Sequence, residues 1–214
     1  MKYTLENILP NPLKEQKRGH QSDIWETTCH LEKGKKYLIT APSGKGKSTF
    51  LHILYGLRKD FSGTVTLDKN ELSTISTNAW ADLRKDNLAI VFQDLRLFPK
   101  LSALDNILLK STLHTTKSAS AIQEMAKQLG IEELLNQSCA TLSYGQRQRV
   151  AIIRALCQPF DFLFLDEPFS HLDEANTKAA FQLIESVCAE QETGFLLVSL
   201  GEKFGRKYDK KLIL

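Results

Sequence analysis

Ala41-Pro42-Ser43-Gly44-Lys45-Gly46-Lys47-Ser48-Thr49 brings two glycines, two lysines and two adjacent hydroxyls together between an apolar run and a helical pattern. This is the composition and setting of a phosphate-binding loop. Gly44 and Gly46 let backbone N–H groups turn inward around phosphate oxygens, and a helix starting near Lys47 adds its dipole. Lys47 would set a point charge on the β and γ phosphates, and Ser48 offers a hydroxyl to Mg²⁺. The expected contacts to the nucleotide therefore run from Ser43 through Gly44, Lys45, Gly46, Lys47 and Ser48 to Thr49. Ala41 stands where such loops usually begin with glycine, a small change unless the backbone there needs a positive φ.

A second constellation is Phe162-Leu163-Phe164-Leu165-Asp166-Glu167, an apolar run ending in two carboxylates. α/β proteins place ligands beyond the carboxyl ends of their strands. Asp166 would hold the Mg²⁺ shell through water, and Glu167 would orient or deprotonate the water that attacks a γ-phosphate. Standing alone, the same pair could cap the following helix.

Positioning these groups requires strands that end at one edge. Short runs rich in Val, Ile, Leu and Phe alternate with longer amphipathic stretches, the pattern of an α/β fold with a mostly parallel sheet. Buried strands are expected over 37–40, 88–92, 162–165 and 195–199, and half-exposed antiparallel strands over 3–8, 24–31 and 63–67. Between residues 102 and 157 the strand signal disappears and apolar residues recur at helical spacing, as in Ile122, Met125, Ala126 and Leu129, which reads as a helical insert. A helix over 177–190 buries Phe181, Ile184 and Val187 or Cys188. The polar stretch 10–22 reads as a loop.

Composition narrows the class. With 214 residues, 42% hydrophobic and 25% charged, the chain can build one sizeable core. A formal charge of +3 without a basic block gives no footprint for nucleic acid. Cys29, Cys139, Cys157 and Cys188 lack zinc-site spacing and read as reduced structural thiols. The first residues have no signal-peptide core. The longest apolar runs fall far short of the roughly 20 residues that span a bilayer, so any membrane role must come through a partner.

Leu142-Ser143-Tyr144-Gly145-Gln146 lies upstream of the acidic run. It resembles the Leu-Ser-Gly-Gly-Gln signature of the ATP-binding cassette family, and the three motifs stand in that family's order and spacing. An unrelated phosphate-loop kinase or GTPase would not need the signature. Ser143 and the amides near Gly145 would open a helix and present donors to an anion. The resemblance implies a P-loop NTPase fold forming one domain over 1–214, with the core and antiparallel β subdomain in 1–93 and 158–214 and the helical subdomain over about 94–157. It implies ATP and Mg²⁺ as cofactors, with Ser48, Gln93 and Asp166 on the metal, and Glu167 and Gln93 in catalysis. Ser143, Gly145 and Gln146 would contact the nucleotide held by a second cassette, read as a second copy in preference to a different chain. A membrane permease would be the further partner, placing the chain in the cytoplasm on the inner face of the membrane. Residues 88–109 resemble the lipoprotein-release and macrolide-export type ATPases, and Leu97, Phe98 and Leu101 would line a groove for a permease helix or simply belong to the core. Ser170-His171-Leu172-Asp173 resembles the loop that crosses the dimer interface, with His171 a tolerated surface residue and Asp173 also a reasonable helix cap.

Three departures accompany the resemblance. Tyr144 replaces a signature glycine, so its ring must point away from the nucleotide or alter how the partner closes. Leu200 stands where the family carries a histidine on the γ-phosphate, and an apolar side chain cannot donate that hydrogen bond. No aromatic residue falls where adenine would stack, since Trp25 reads as core. Leu200 and Tyr144 keep a second function open, an ATP-binding cassette that hydrolyses weakly and acts as a regulator; a soluble cassette acting on DNA or ribosomes is a separate alternative.

Overall fold

The computed structural model describes residues 1–14, 22–113, 117–201 and 204–214. Its elements run β1 (Lys2–Pro10), β2 (Thr28–Glu32), β3 (Tyr37–Thr40), α1 (Lys47–Leu54), β4 (Phe61–Leu67), β5 (Asn70–Glu71), α2 (Thr77–Asp86), β6 (Leu88–Val91), α3 (Ala103–Ser111), α4 (Ala119–Gln128), α5 (Tyr144–Leu156), β7 (Phe162–Asp166), α6 (Glu174–Glu190), β8 (Gly194–Ser199) and β9 (Lys210–Ile213). Short 3₁₀ turns lie at Asn11–Leu13, Leu72–Thr74 and Glu132–Leu134.

The larger sheet has the order β6-β7-β8-β3-β9, and every pairing in it is parallel. Parallel pairing brings the carboxyl ends of β3, β6, β7 and β8 to one edge, which is why residues so distant in sequence can share a site. The strand side chains alternate between two cores. Leu163, Leu165, Phe195 and Leu197 face the core that contains α3 to α6, whereas Phe162, Phe164, Leu196 and Val198 face the core with α1 and the antiparallel sheet. Both faces are covered, so these strands read as unbroken apolar runs. The antiparallel sheet has the order β2-β1-β4-β5. Tyr3 ties it to the rest: its ring meets Phe162 edge-on at 5.2 Å, and its hydroxyl donates to the Leu54 carbonyl at 2.9 Å.

Several boundaries differ from the sequence expectation. The strand expected over 24–31 begins only at Thr28. Ser22 Oγ accepts hydrogen bonds from the backbone N–H groups of Ile24 and Trp25, and this local turn competes with strand pairing while both side chains remain buried. The strand expected over 88–92 ends at Val91. The helix expected over 177–190 starts earlier, at Glu174, because Asp173 caps it by accepting from the Asn176 N–H at 2.8 Å. Of the loop expected over 10–22, residues 11–13 form a 3₁₀ turn, and residues 15–21 lie outside the described residues.

Candidate active site

The phosphate loop joins the end of β3 to the start of α1. Gly44 and Gly46 have φ of 76° and 91°, whereas Ala41 has no positive φ, so its methyl is tolerated. Gly46 is fixed twice over, since a Cβ there would lie 2.8 Å from Leu13 Cδ1 and 3.2 Å from Trp25 Cζ2. As N-cap of α1 it supplies no side-chain acceptor, leaving the first-turn N–H groups for an anion. Trp25 packs behind the loop, edge-on to Phe50, and donates from Nε1 to the Lys45 carbonyl at 3.4 Å, as its reading as core requires. The Thr49 hydroxyl accepts from Arg58 at 3.3 Å, so Thr49 would serve a phosphate through its backbone.

Lys47 is only 7% exposed, although it carries a charge. Its ammonium donates to the Ala41 and Pro42 carbonyls at 3.0 and 3.1 Å and pairs with Glu167 Oε1 at 3.3 Å. Ser48 Oγ donates to Gln93 Oε1 at 3.3 Å, bringing the start of α1 to the end of β6. Asp166, at the end of β7, is 2% exposed, and its Oδ1 has no hydrogen-bond partner. Burial pushes its carboxyl up to about 6; the nearby Ser48 hydroxyl opposes the shift, and the charge of Glu167 adds to it. A buried carboxylate oxygen without a donor, beside a hydroxyl and an amide oxygen, is the donor set a hard divalent cation needs.

The sign of the Asp166 shift has a consequence for stability. The folded state holds this proton more tightly than the unfolded chain, so the contribution is full below pH 3.8 and lost as pH rises through about 6. Asp166→Asn is therefore expected to stabilise the nucleotide-free chain at pH 8, by at most on the order of 3 kcal/mol. The gain should shrink towards pH 5. Thermal melts of both proteins at the two pH values check it, and a larger gain at pH 5 than at pH 8 would refute it.

Glu167 adopts φ 47°, an uncommon conformation for a non-glycine residue and one that concentrates at functional sites. Its backbone is held at both groups: its N–H donates to the Val198 carbonyl at 3.1 Å, and its carbonyl accepts from Gln148 Nε2 at 3.3 Å. Sequence reasoning passed over Gln148, which is buried and also accepts from the His171 N–H at 3.3 Å. The available signal was a second glutamine just past the signature. Leu200, at the end of β8, is 59% exposed and lines a 130 Å³ cavity with Glu167, Ser199 and Phe204.

The signature opens α5. Ser143 Oγ accepts from the Gln146 N–H at 3.3 Å, and Gln146 Oε1 accepts from the Ser143 N–H at 2.8 Å, a reciprocal capping box. A Cβ on Gly145 would lie 2.9 Å from the His171 carbonyl, so the 170–173 loop packs directly on the helix start. The structure thus brings Lys47, Ser48, Gln93, Asp166 and Glu167 together. Among the described residues the Tyr144 hydroxyl joins this segment to that cluster by a hydrogen bond to the Gln93 carbonyl, whereas Ser143, Gly145 and Gln146 make none to it. Tyr144 turns towards Gln93 and His171 of its own chain. His171, expected to be a tolerated surface residue, is exposed but carries packing and backbone contacts. Near Gln93 the groove and core readings divide among the three residues. Phe98, 57% exposed, lines a 220 Å³ hollow with Phe92, Arg96, Leu109 and Leu113, whereas Leu97 packs on the core instead and Leu101 is half-buried with its carbonyl bonded to the Cys139 N–H.

Residues 26–170 match the family model described as "ABC transporter". The chain is 38% identical over 180 residues to the lipoprotein-releasing system ATP-binding protein LolD of Buchnera aphidicola subsp. Schizaphis graminum (strain Sg), covering 83% of this chain and 79% of that protein. It is 35% identical over 187 residues to LolD of Legionella pneumophila (strain Paris), covering 86% and 82%. Among solved structures, the dimeric structure of MJ0796, a bacterial ABC transporter cassette, superposes with a TM-score of 0.83 at 27% identity, covering 99% of this chain and 94% of that one. The same cassette as a dimer in a post-hydrolysis state bound to ADP and Pi superposes with a TM-score of 0.82.

Proposed function

The chain belongs to the ABC transporter family, and from that membership we propose that it is the Mg-ATP-hydrolysing subunit of a transporter that pairs two nucleotide sites across a dimer. The observation that carries this reading is the convergence of Lys47, Ser48, Gln93, Asp166 and Glu167 at one sheet edge. Lys47 and the amides of 44–49 bind the phosphates. Ser48, Gln93 and Asp166 would hold Mg²⁺, which when bound supplies charge neutralisation at the β and γ phosphates. In the absence of nucleotide, Lys47 is paired with Glu167. Phosphate oxygens compete for the ammonium, and the carboxylate this releases is placed to orient a water molecule and take its proton.

The second site is read as belonging to another copy of the chain, whose Ser143, Gly145 and Gln146 complete the pocket through the dipole and amides of the α5 N-terminus. This fits the dimeric cassettes among the structural relatives. The helical region of about 94–157 would transmit closure to a membrane permease, leaving the chain peripheral on the cytoplasmic face. No described helix is long and apolar enough to cross a membrane. The exposed apolar hollow around Phe98 supports the permease contact. Leu200 favours a second reading, a weakly hydrolysing regulatory cassette, because it offers no donor beside Glu167.

Phosphate release by the purified chain separates the two readings. We expect measurable turnover with Mg²⁺, abolished by chelation. ATP binding without metal-dependent phosphate release would favour the regulatory cassette, and no ATP binding would exclude both.

A further inference from the structure

Tyr144 is the residue at which the signature departs from the family's glycine, and three separate segments meet on its side chain. Its hydroxyl donates to the Gln93 carbonyl at 2.6 Å, a partner 51 residues earlier. Its ring lies against the His171 ring with centroids 4.2 Å apart. Arg147, one helical turn on, places its guanidinium 5.4 Å from the ring centroid. Both partners are themselves fixed to the site. Gln93 accepts from Ser48 through its side-chain oxygen, and Ser170 Oγ lies 2.9 Å from His171 Nδ1.

α5 has a second hold on the same segment. Arg154 donates to the Leu95 and Arg96 carbonyls at 2.6 and 2.7 Å. Ten residues of helix separate Tyr144 from Arg154, about 15 Å along the axis. Two anchors that far apart prevent α5 from pivoting on residues 93–96, so helix and loop must move together.

We infer that Tyr144 is a positioning residue: its phenol fixes the Gln93 backbone so that the side-chain amide faces Ser48, and it passes any displacement of Gln93 to the helix start that carries Ser143. This rests on the reading of 43–49, 93 and 166–167 as the Mg-ATP site. A glycine at 144 could make neither contact. A ring that merely filled space would not need its hydroxyl.

Steady-state Mg-ATP turnover of the wild type, Tyr144→Phe, Gln93→Ala and the double variant tests the inference. Tyr144→Phe keeps the ring contact and loses the hydrogen bond, so kcat should fall about three- to tenfold. KM for ATP should stay within about twofold, because residues 43–49 are untouched. In the Gln93→Ala background there is no amide left to position, so removing the hydroxyl should change kcat by less than about twofold. An unchanged kcat in Tyr144→Phe, or the same loss in both backgrounds, overturns the inference.

A wild type that turns over no ATP would contradict the hydrolytic reading alone. Hydrogen exchange at monomeric protein concentration then decides. The amides of 93–96 should exchange faster in Tyr144→Phe than in the wild type. Added Mg-ATP should alter exchange at both 93–96 and 143–149 in the wild type, and only at 93–96 in the variant. Identical exchange in the two proteins overturns the tether, whatever the ATPase result.

Discussion

Lys47→Ala is expected to weaken Mg-ATP binding by about 100-fold, near 3 kcal/mol, the scale of one short-range contact between a desolvated ammonium and a phosphate at an effective dielectric constant near 20. Lys47 is 7% exposed and two loop carbonyls hold its ammonium, so an arriving phosphate has only to displace Glu167 from it. The substitution also strands Glu167, whose carboxylate then lies beside the phosphates without its cation. Repulsion from that charge adds to the loss. Lys47→Arg should recover only part of the affinity, because a planar fork cannot replace a compact charge among three acceptors. Calorimetric titration of the three proteins checks this. An alanine variant that binds within about threefold of the wild type would remove Lys47 from the phosphate site.

Glu167→Gln is expected to lower turnover by about 10²- to 10⁴-fold, the contribution of a positioned general base, while ATP affinity stays the same or tightens. The amide keeps the shape of the carboxylate and its unusual φ of 47°, but it cannot accept a proton from water. It also releases Lys47 from the ion pair seen without nucleotide, which is why binding should not suffer. Opposite signs in the two measurements are the signature of a group that acts on the reacting water. If binding and turnover fell together, Glu167 would be a structural partner of Lys47 and nothing more.

What could be read from the sequence was what depends on local pattern. Unbroken apolar runs marked β3, β6, β7 and β8 because both faces of the parallel sheet are covered, and the groups at their ends converge because parallel strands share an edge. The capping preference of Asp173 and the core position of Trp25 were legible for the same reason. What escaped depends on contacts between distant segments. No pattern around Tyr144 points 51 residues back to Gln93, and none around Gln148 points to the backbone of Glu167. The pairing of Thr49 with Arg58 required the start of α1 and the residues following it to fold back on each other. The start of β2 was misplaced because buried Ile24 and Trp25 look like strand residues, while the Ser22 hydroxyl that turns the chain leaves no apolar signal.

The pairing of two nucleotide sites is tested most directly by phosphate release per chain, measured over a dilution series of the wild type beside Glu167→Gln, with sedimentation reporting the oligomeric state at each concentration. We expect the wild-type rate per chain to climb with concentration as dimers form and then level off, with the variant silent throughout. A wild-type rate per chain that stays constant down to fully monomeric dilution, or a variant that turns over as fast as the wild type, would contradict a shared site worked by Glu167.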